Sequence, residues 1–180
     1  MVVEEEGRAD VYYYEKSPVS VTVKELGCYQ SQYGLPVSAD GTMLYVMNWD
    51  INGVIAYEIA TGKIAWKYRP GTIRDILVYD SYIVAHKSNT ALIKFDWKTG
   101  EILGELKSGT MESCHRLPDP YVLTCYRGKE SIVDTQTMEI VKQYSKKETG
   151  FEADVTYVEL QGNQLLLESF GDIRMVDYDL

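Results

Sequence analysis

Histidine and cysteine are both scarce, with two and three residues in 180. The cysteines, Cys28, Cys114 and Cys125, are odd in number and include no C-x-x-C pair. That spacing argues against a disulfide scaffold and against a zinc module, and it suits free thiols in a reducing compartment. No apolar run approaches the ~20 residues of a membrane-crossing helix. The acidic start, Met1–Glu6, has neither the basic nor the apolar region of a secretory signal, so the expected location is cytoplasmic. No glycine-rich phosphate loop, serine elbow or H-E-x-x-H occurs. Positive charge is in deficit, with 18 Lys and Arg against 27 Asp and Glu, a net −9. An acidic surface repels nucleic acid and anionic membrane, so neither is an expected partner. The deficit is uneven: residues 86–147 carry 10 basic and 8 acidic groups, whereas residues 148–180 carry 1 and 8.

What the chain has is strand-forming sequence. Hydrophobic residues make up 45%, and 15 tyrosines join abundant valine and isoleucine, a composition that favours strands. The clearest stretch is Asp40–Arg69. It predicts a strand at Met43–Met47, a polar turn at Asn48–Gly53, a strand at Val54–Ile59, a tight turn at Thr61-Gly62 and a third strand ending in Trp66. Weaker copies follow. Glu58, Asp96 and Asp134 are 38 residues apart, as are Thr61, Thr99 and Thr137, in the segments EIATGKI, DWKTGEI and DTQTMEI. Asp177 falls 43 residues after Asp134, which implies an insertion near Lys146–Ala153.

A period near forty residues built only of strands predicts a β-propeller, with four strands per blade. The expected class is therefore all-β: a propeller of about four four-stranded blades, at residues 29–68, 70–107, 110–145 and 151–180, after an acidic lead-in at 1–10. In the second copy the strands are Ile73–Tyr79, Tyr82–His86, Ala91–Asp96 and Glu101–Lys107. In the third they are Glu112–Leu117, Tyr121–Tyr126, Ser131–Thr135 and Glu139–Tyr144. The fourth has Asp154–Leu160, Gln164–Ser169 and Ile173–Tyr178 and lacks an outermost strand. Either Val19–Leu26, which alternates with period two, completes it and closes the ring, or the chain is half of a larger propeller.

Ala56-Tyr57-Glu58-Ile59-Ala60-Thr61-Gly62-Lys63-Ile64-Ala65-Trp66 resembles the tryptophan-docking repeat of quinoprotein-type (PQQ-like) propellers, A-x-D-x-x-T-G-x-x-x-W, with Glu58 in place of Asp. The second copy keeps Asp96, Thr99 and Gly100 but has Lys94 for Ala and Gly104 for Trp. Ser38–Val46, SADGTMLYV, resembles the start of surface-layer and lactonase-like propeller repeats. The resemblance implies that the acidic residue closes the turn, that Gly62 takes positive φ and that Trp66 packs on the neighbouring blade. Quinone-binding members of this family resemble one another in about eight blades and a vicinal disulfide. Four copies and no adjacent cysteines imply no cofactor here.

The loops that share one face of a propeller gather Asp50, Arg69, Arg74, His86, Arg127, Lys129 and Asp172, a candidate ligand face. Asn48–Gly53, N-x-D-x-N-G, is similar to the start of a calcium loop, but its ninth and twelfth positions are Ala56 and Ile59, so no metal is expected. Trp49, at the tip of that turn, is either an interface anchor or tucked against the next blade. Tyr12, Tyr13 and Tyr14 either fold onto their own blade or make an interchain contact. Cys114 and His115 are adjacent on a strand and so point to opposite faces, which precludes a nucleophile–base pair. No catalytic residue is assigned. The expected function is a non-catalytic scaffold that binds another protein or a second copy of itself; the alternative is a small-ligand or quinone-type oxidoreductase, or part of a larger enzyme propeller.

Overall fold

The structure is a computed structural model that describes residues 2–5, 8–11, 19–22, 36–48, 52–69, 71–88, 90–107, 111–126, 129–150, 155 and 157–180, the first three stretches as backbone only. Apolar runs of four to six residues separated by Asp, Asn, Gly and Thr turns leave the chain one economical choice, antiparallel meanders. The first is β1 (Val2–Glu5), β2 (Arg8–Val11) and β3 (Val19–Thr22). Next come β4 (Met43–Asn48), β5 (Gly53–Glu58) and β6 (Ile64–Tyr68), to which Val37 adds an isolated bridge at Leu44. Two four-stranded sheets follow. One contains β7 (Ile73–Val78), β8 (Tyr82–Lys87), β9 (Ala91–Asp96) and β10 (Ile102–Lys107). The other contains β11 (Ser113–Arg116), β12 (Tyr121–Tyr126), β13 (Lys129–Asp134) and β14 (Glu139–Gln143). The last sheet has three strands, β15 (Tyr157–Gln161), β16 (Gln164–Ser169) and β17 (Asp172–Asp177).

Most of these elements lie where the repeat puts them, and the differences have simple causes. Residues 1–10, expected to be loose, carry β1 and β2, paired from Val2↔Val11 to Glu5↔Arg8. The segment expected to complete the last sheet is described over Val19–Thr22, where it pairs with Arg8–Val11; residues 23–26 lie outside the described residues. The insertion after the third copy holds a single helical turn, α1 (Lys146–Thr149). Ser145 caps it: the Ser145 side chain accepts from the Glu148 N–H, Glu148 reaches back to the Ser145 N–H, and Gly150 closes it at φ 72°.

The turns use the expected chemistry. Asp96 Oδ1 accepts from the backbone N–H groups of Lys98 and Thr99 at 3.0 and 2.7 Å and from the Thr99 hydroxyl at 2.9 Å. Gly100 follows at φ 72°. The Thr99 N–H bond is the chief reason that the Asp96 carboxyl sits below its ordinary range. Glu58 does the same work with a longer arm, accepting from the Thr61 hydroxyl at 2.9 Å. Asp134 retains one such bond, from the Gln136 N–H at 2.7 Å.

The described chain falls into two compact units, Met1–Lys87 with Ile93–Leu103, and Ser88–Leu92 with Gly104–Leu180. In the first, Trp66 packs its ring on Phe95, with centroids 5.8 Å apart, and donates from Nε1 to the Trp97 carbonyl at 3.3 Å. The Tyr45 hydroxyl donates to the same carbonyl at 2.9 Å. Trp66 lies so close to Gly100 that a Cβ there would be 2.5 Å from Trp66 Cδ2. In the second unit a core of Leu117, Leu123, Ile132, Tyr144, Leu165 and Val176, among others, is buried. A fully buried aliphatic side chain contributes about 1.5–3 kcal/mol each. Here the contact that matches Trp66 on Gly100 is inverted: Gly104 meets the turn residue Met138, whose Cγ would lie 2.7 Å from an added Cβ. Met138 holds that turn at φ 57°.

Candidate functional site

The seven residues expected on one polar face are placed very differently. Asp50 and Arg127 lie outside the described residues, as do Trp49 and Tyr12, Tyr13 and Tyr14. Arg69, just after β6, and Arg74, on β7, are exposed in the first unit. His86 belongs to β8 and is 1% exposed, so its ring is part of the core of that sheet. Lys129 and Asp172, both expected in turns, are the exposed first residues of β13 and β17. The strands begin earlier than the sequence suggests because pairing continues to the end of each hairpin, at Tyr126↔Lys129 and Ser169↔Asp172.

Two arrangements of ionisable groups bear on chemistry. In the first unit the register sets Asp75 directly opposite His86, with Arg74 as the extra residue of a bulge between Ile73 and Asp75. Burial raises the Asp75 carboxyl above its ordinary range, against a 2.9 Å bond that its Oδ1 accepts from the Ile76 N–H. In the second unit His115 Nε2 lies 3.1 Å from the Val155 carbonyl oxygen. The Ser113 hydroxyl donates to the same oxygen at 3.4 Å. A ring nitrogen facing a carbonyl carries the proton, so it cannot take one from Ser113. Burial holds the His115 imidazole below its usual pKa. This histidine ties β11 to the segment before β15 and is not arranged as a general base. Cys114 is buried beside it on the opposite strand face, as alternation requires.

A small pocket in the second unit, about 80 Å³, is lined by Leu106, Met111, Thr124, Lys129, Ser131 and Gln143, among others. Organic ligands occupy roughly 300 Å³ or more, so this cavity accommodates a few waters and no flat cofactor. Among the described residues no group of three His, Cys, Asp or Glu side chains is placed to hold a metal ion.

The feature that sequence reasoning missed is the last sheet. Four of six residues are buried in each of β5, β9 and β13, strands with a neighbour on both sides, but one of six in β17, the outermost described strand of its sheet, as in β6, β10 and β14, which bury one residue or none. Phe170, Ile173 and Leu180 are 83%, 57% and 55% exposed, and Met175 is 43% exposed. Read singly, Ile173 and Met175 look like the core positions of any third strand. Only the missing outermost strand of the fourth copy was a signal that they would not be.

No family model matches the chain, and no curated protein is similar to it. Solved structures are. BamB from Moraxella catarrhalis superposes with a TM-score of 0.71 at 14% identity, covering 98% of this chain and 54% of BamB. The computationally designed Ika8 protein gives 0.68 at 12% identity, over 98% of this chain and 57% of Ika8. The dihydro-heme d1 dehydrogenase NirN in complex with DHE gives 0.69 at 17% identity, over 96% of this chain and 40% of NirN. The chain thus spans about half the length of BamB and Ika8 and less than half that of NirN. These likenesses, with the antiparallel sheets of three and four strands, define the class: the chain has a β-propeller fold.

Proposed function

We propose that this propeller chain is an interaction scaffold that binds another protein through its last sheet. The observation that carries the reading is the exposure of Ile173 and Met175 on one face of β17, with Phe170, 83% exposed, in the turn before it; the other outermost strands, β6, β10 and β14, also expose apolar side chains, but none as far as Phe170. A cluster of apolar side chains left in water is a mark of an interaction surface. The likeness of Ala56–Trp66 to the quinoprotein-type repeat supports the same reading, because that signature describes how sheets dock and contains no group that reacts. A photo-reactive amino acid placed at Ile173, in the cells that make the protein, is expected to give a discrete protein adduct. The same group at exposed Lys63, just before β6, is expected to give none. Equal labelling from both positions, or none from Ile173, overturns the proposal.

A second reading, a small-ligand or quinone-type oxidoreductase, is favoured by one observation, the half-buried Asp75 set opposite the buried His86 in the register of β7 and β8. A buried acid beside an imidazole is a common proton-transfer pair. Titration with a soluble quinone, followed by absorbance, tests it: a saturable change lost in His86→Gln supports it, and a flat titration removes it.

A further inference from the structure

We propose that the small pocket of the second unit binds a free short-chain carboxylate, an acid of two or three carbons. The proposal is independent of the last sheet.

The register builds the pocket. Thr124 pairs with Ser131 and Ser131 with Gln143, so these three form one row across β12, β13 and β14. Residues two apart on a strand share a face. Tyr126 and Lys129, paired at the hairpin end, therefore lie on the same face, and Val133 and Ile140 lie on it toward the other end. The lining thus runs from a polar end at the hairpin to an apolar end at Ile140. Leu106 of β10 and the buried Met111 add to the apolar part.

The polar end has hydrogen-bond donors to spare. Ser131 is 6% exposed, and among the described residues nothing bonds its hydroxyl. The neighbouring Thr124 hydroxyl is already committed, donating to the Ser131 carbonyl at 3.2 Å. A buried hydroxyl without a partner is costly, and a ligand that accepts from it removes the cost. The Lys129 ammonium and the Gln143 amide line the same pocket, are exposed, and are likewise unbonded among the described residues. Among those residues no Asp or Glu lines the pocket, in a chain of net charge −9. An ammonium, a hydroxyl and an amide with no carboxylate among them select an anion.

Size and shape choose among anions. At about 80 Å³ the pocket is roughly half the size of a cavity that holds benzene, so it suits about four or five non-hydrogen atoms, the size of acetate or propionate. Sulfate and phosphate are as small, but a tetrahedral oxyanion carries oxygen on every side. It would press some of that oxygen on Leu106, Met111 and Ile140 with no donor in reach. A carboxylate keeps its oxygens at one end and its methyl or methylene groups at the other, as the lining does.

Sodium propionate tests the site, on the full chain with its methionine methyls and glutamine amides isotope-labelled and followed by NMR. Propionate is expected to shift the Met111 methyl and the Gln143 amide together, saturably and in the millimolar range. Propylammonium chloride, with the same apolar end and the opposite charge, is expected to leave both in place, as is sodium sulfate at equal ionic strength. Lys129→Met is expected to weaken propionate binding at least tenfold, and Lys129→Arg to keep most of it. Ser131→Ala is expected to weaken it at least threefold. Lys129 is exposed, so its variants keep the test valid should Ser131→Ala fail to fold. A shift that grows without saturating, or equal action of propylammonium or sulfate, overturns the proposal. Unchanged affinity in Lys129→Met overturns it too, as does a Gln143 shift without Met111, because the ligand then stays at the surface. N-acetylglutamate amide presents the same acid from a peptide backbone. Tighter binding of that compound than of propionate overturns the free-acid assignment and gives the pocket to an acidic side chain of a partner. None of these outcomes bears on the adduct at Ile173, so the scaffold reading stands or falls separately.

Discussion

The Trp66–Gly100 contact in the first unit and the Gly104–Met138 contact in the second occupy the same two places in the repeat, 38 residues apart, with large and small exchanged. In the first, the strand residue is an indole and the turn residue has no side chain. In the second, the strand residue has no side chain and the turn residue supplies a thioether chain. The sum of volumes is what the gap between neighbouring turns and strands requires, and either side can fill it. The two solutions are not equal. Gly100 takes φ 72° freely, whereas Met138 holds φ 57° against its own Cβ, at a cost of about 1–2 kcal/mol. The indole also donates to the Trp97 carbonyl, and a methionine has no donor to offer. A third answer stands at position 142, another 38 residues on: Lys142 reaches the carbonyls of Asp177 and Asp179, both at 2.9 Å.

The largest effect is expected at the first contact. Trp66→Ala empties a buried site and leaves the Trp97 carbonyl with one donor, and it should lower unfolding stability by about 3–5 kcal/mol in a urea titration. A loss below about 1 kcal/mol would mean that the repeat signature does not dock the first unit. Next in size, Gly104→Trp forces an indole onto Met138 and should cost about 1–3 kcal/mol. Adding Met138→Gly recreates the first arrangement within the second unit and should recover most of that loss. A double-mutant cycle with no coupling would show that the two contacts are not equivalent. The smallest effect belongs to the third position. Lys142→Met removes the ammonium that lies 5.1 Å from the Tyr144 ring centre, and with it two hydrogen bonds to carbonyls. It should cost about 1 kcal/mol or less, because the ammonium is partly solvated. A larger loss would place Lys142 on a par with Trp66.

These contacts also explain what could be read from the chain beforehand. The first was legible because A-x-E-x-x-T-G-x-x-x-W is a local pattern carrying its own turn, glycine and indole. The second was not, because Gly104 and Met138 each look like decay of the repeat, and compensation between positions 34 residues apart leaves no local trace. The candidate ligand face fared similarly. His86 alternates as a strand residue should, but alternation alone does not tell a buried imidazole from one in a channel. Lys129 and Asp172 look like turn residues because polar residues bound hairpins, while the ladder runs through them to the last pair.

Period, turn chemistry and strand alternation belong to segments of four to eight residues, and the sequence alone determined them: an all-β chain of repeated meanders with Asp–Thr–Gly turns. Which side of each contact carries the bulk, which strand is left exposed and which histidine is buried depend on residues brought together from distant copies. Those were decided only by the tertiary structure, because packing responds to summed volume and to the presence or absence of a neighbouring strand. β17 shows this most plainly. Ile173 and Met175 are apolar as core residues are, and they stay exposed because no strand among the described residues covers β17.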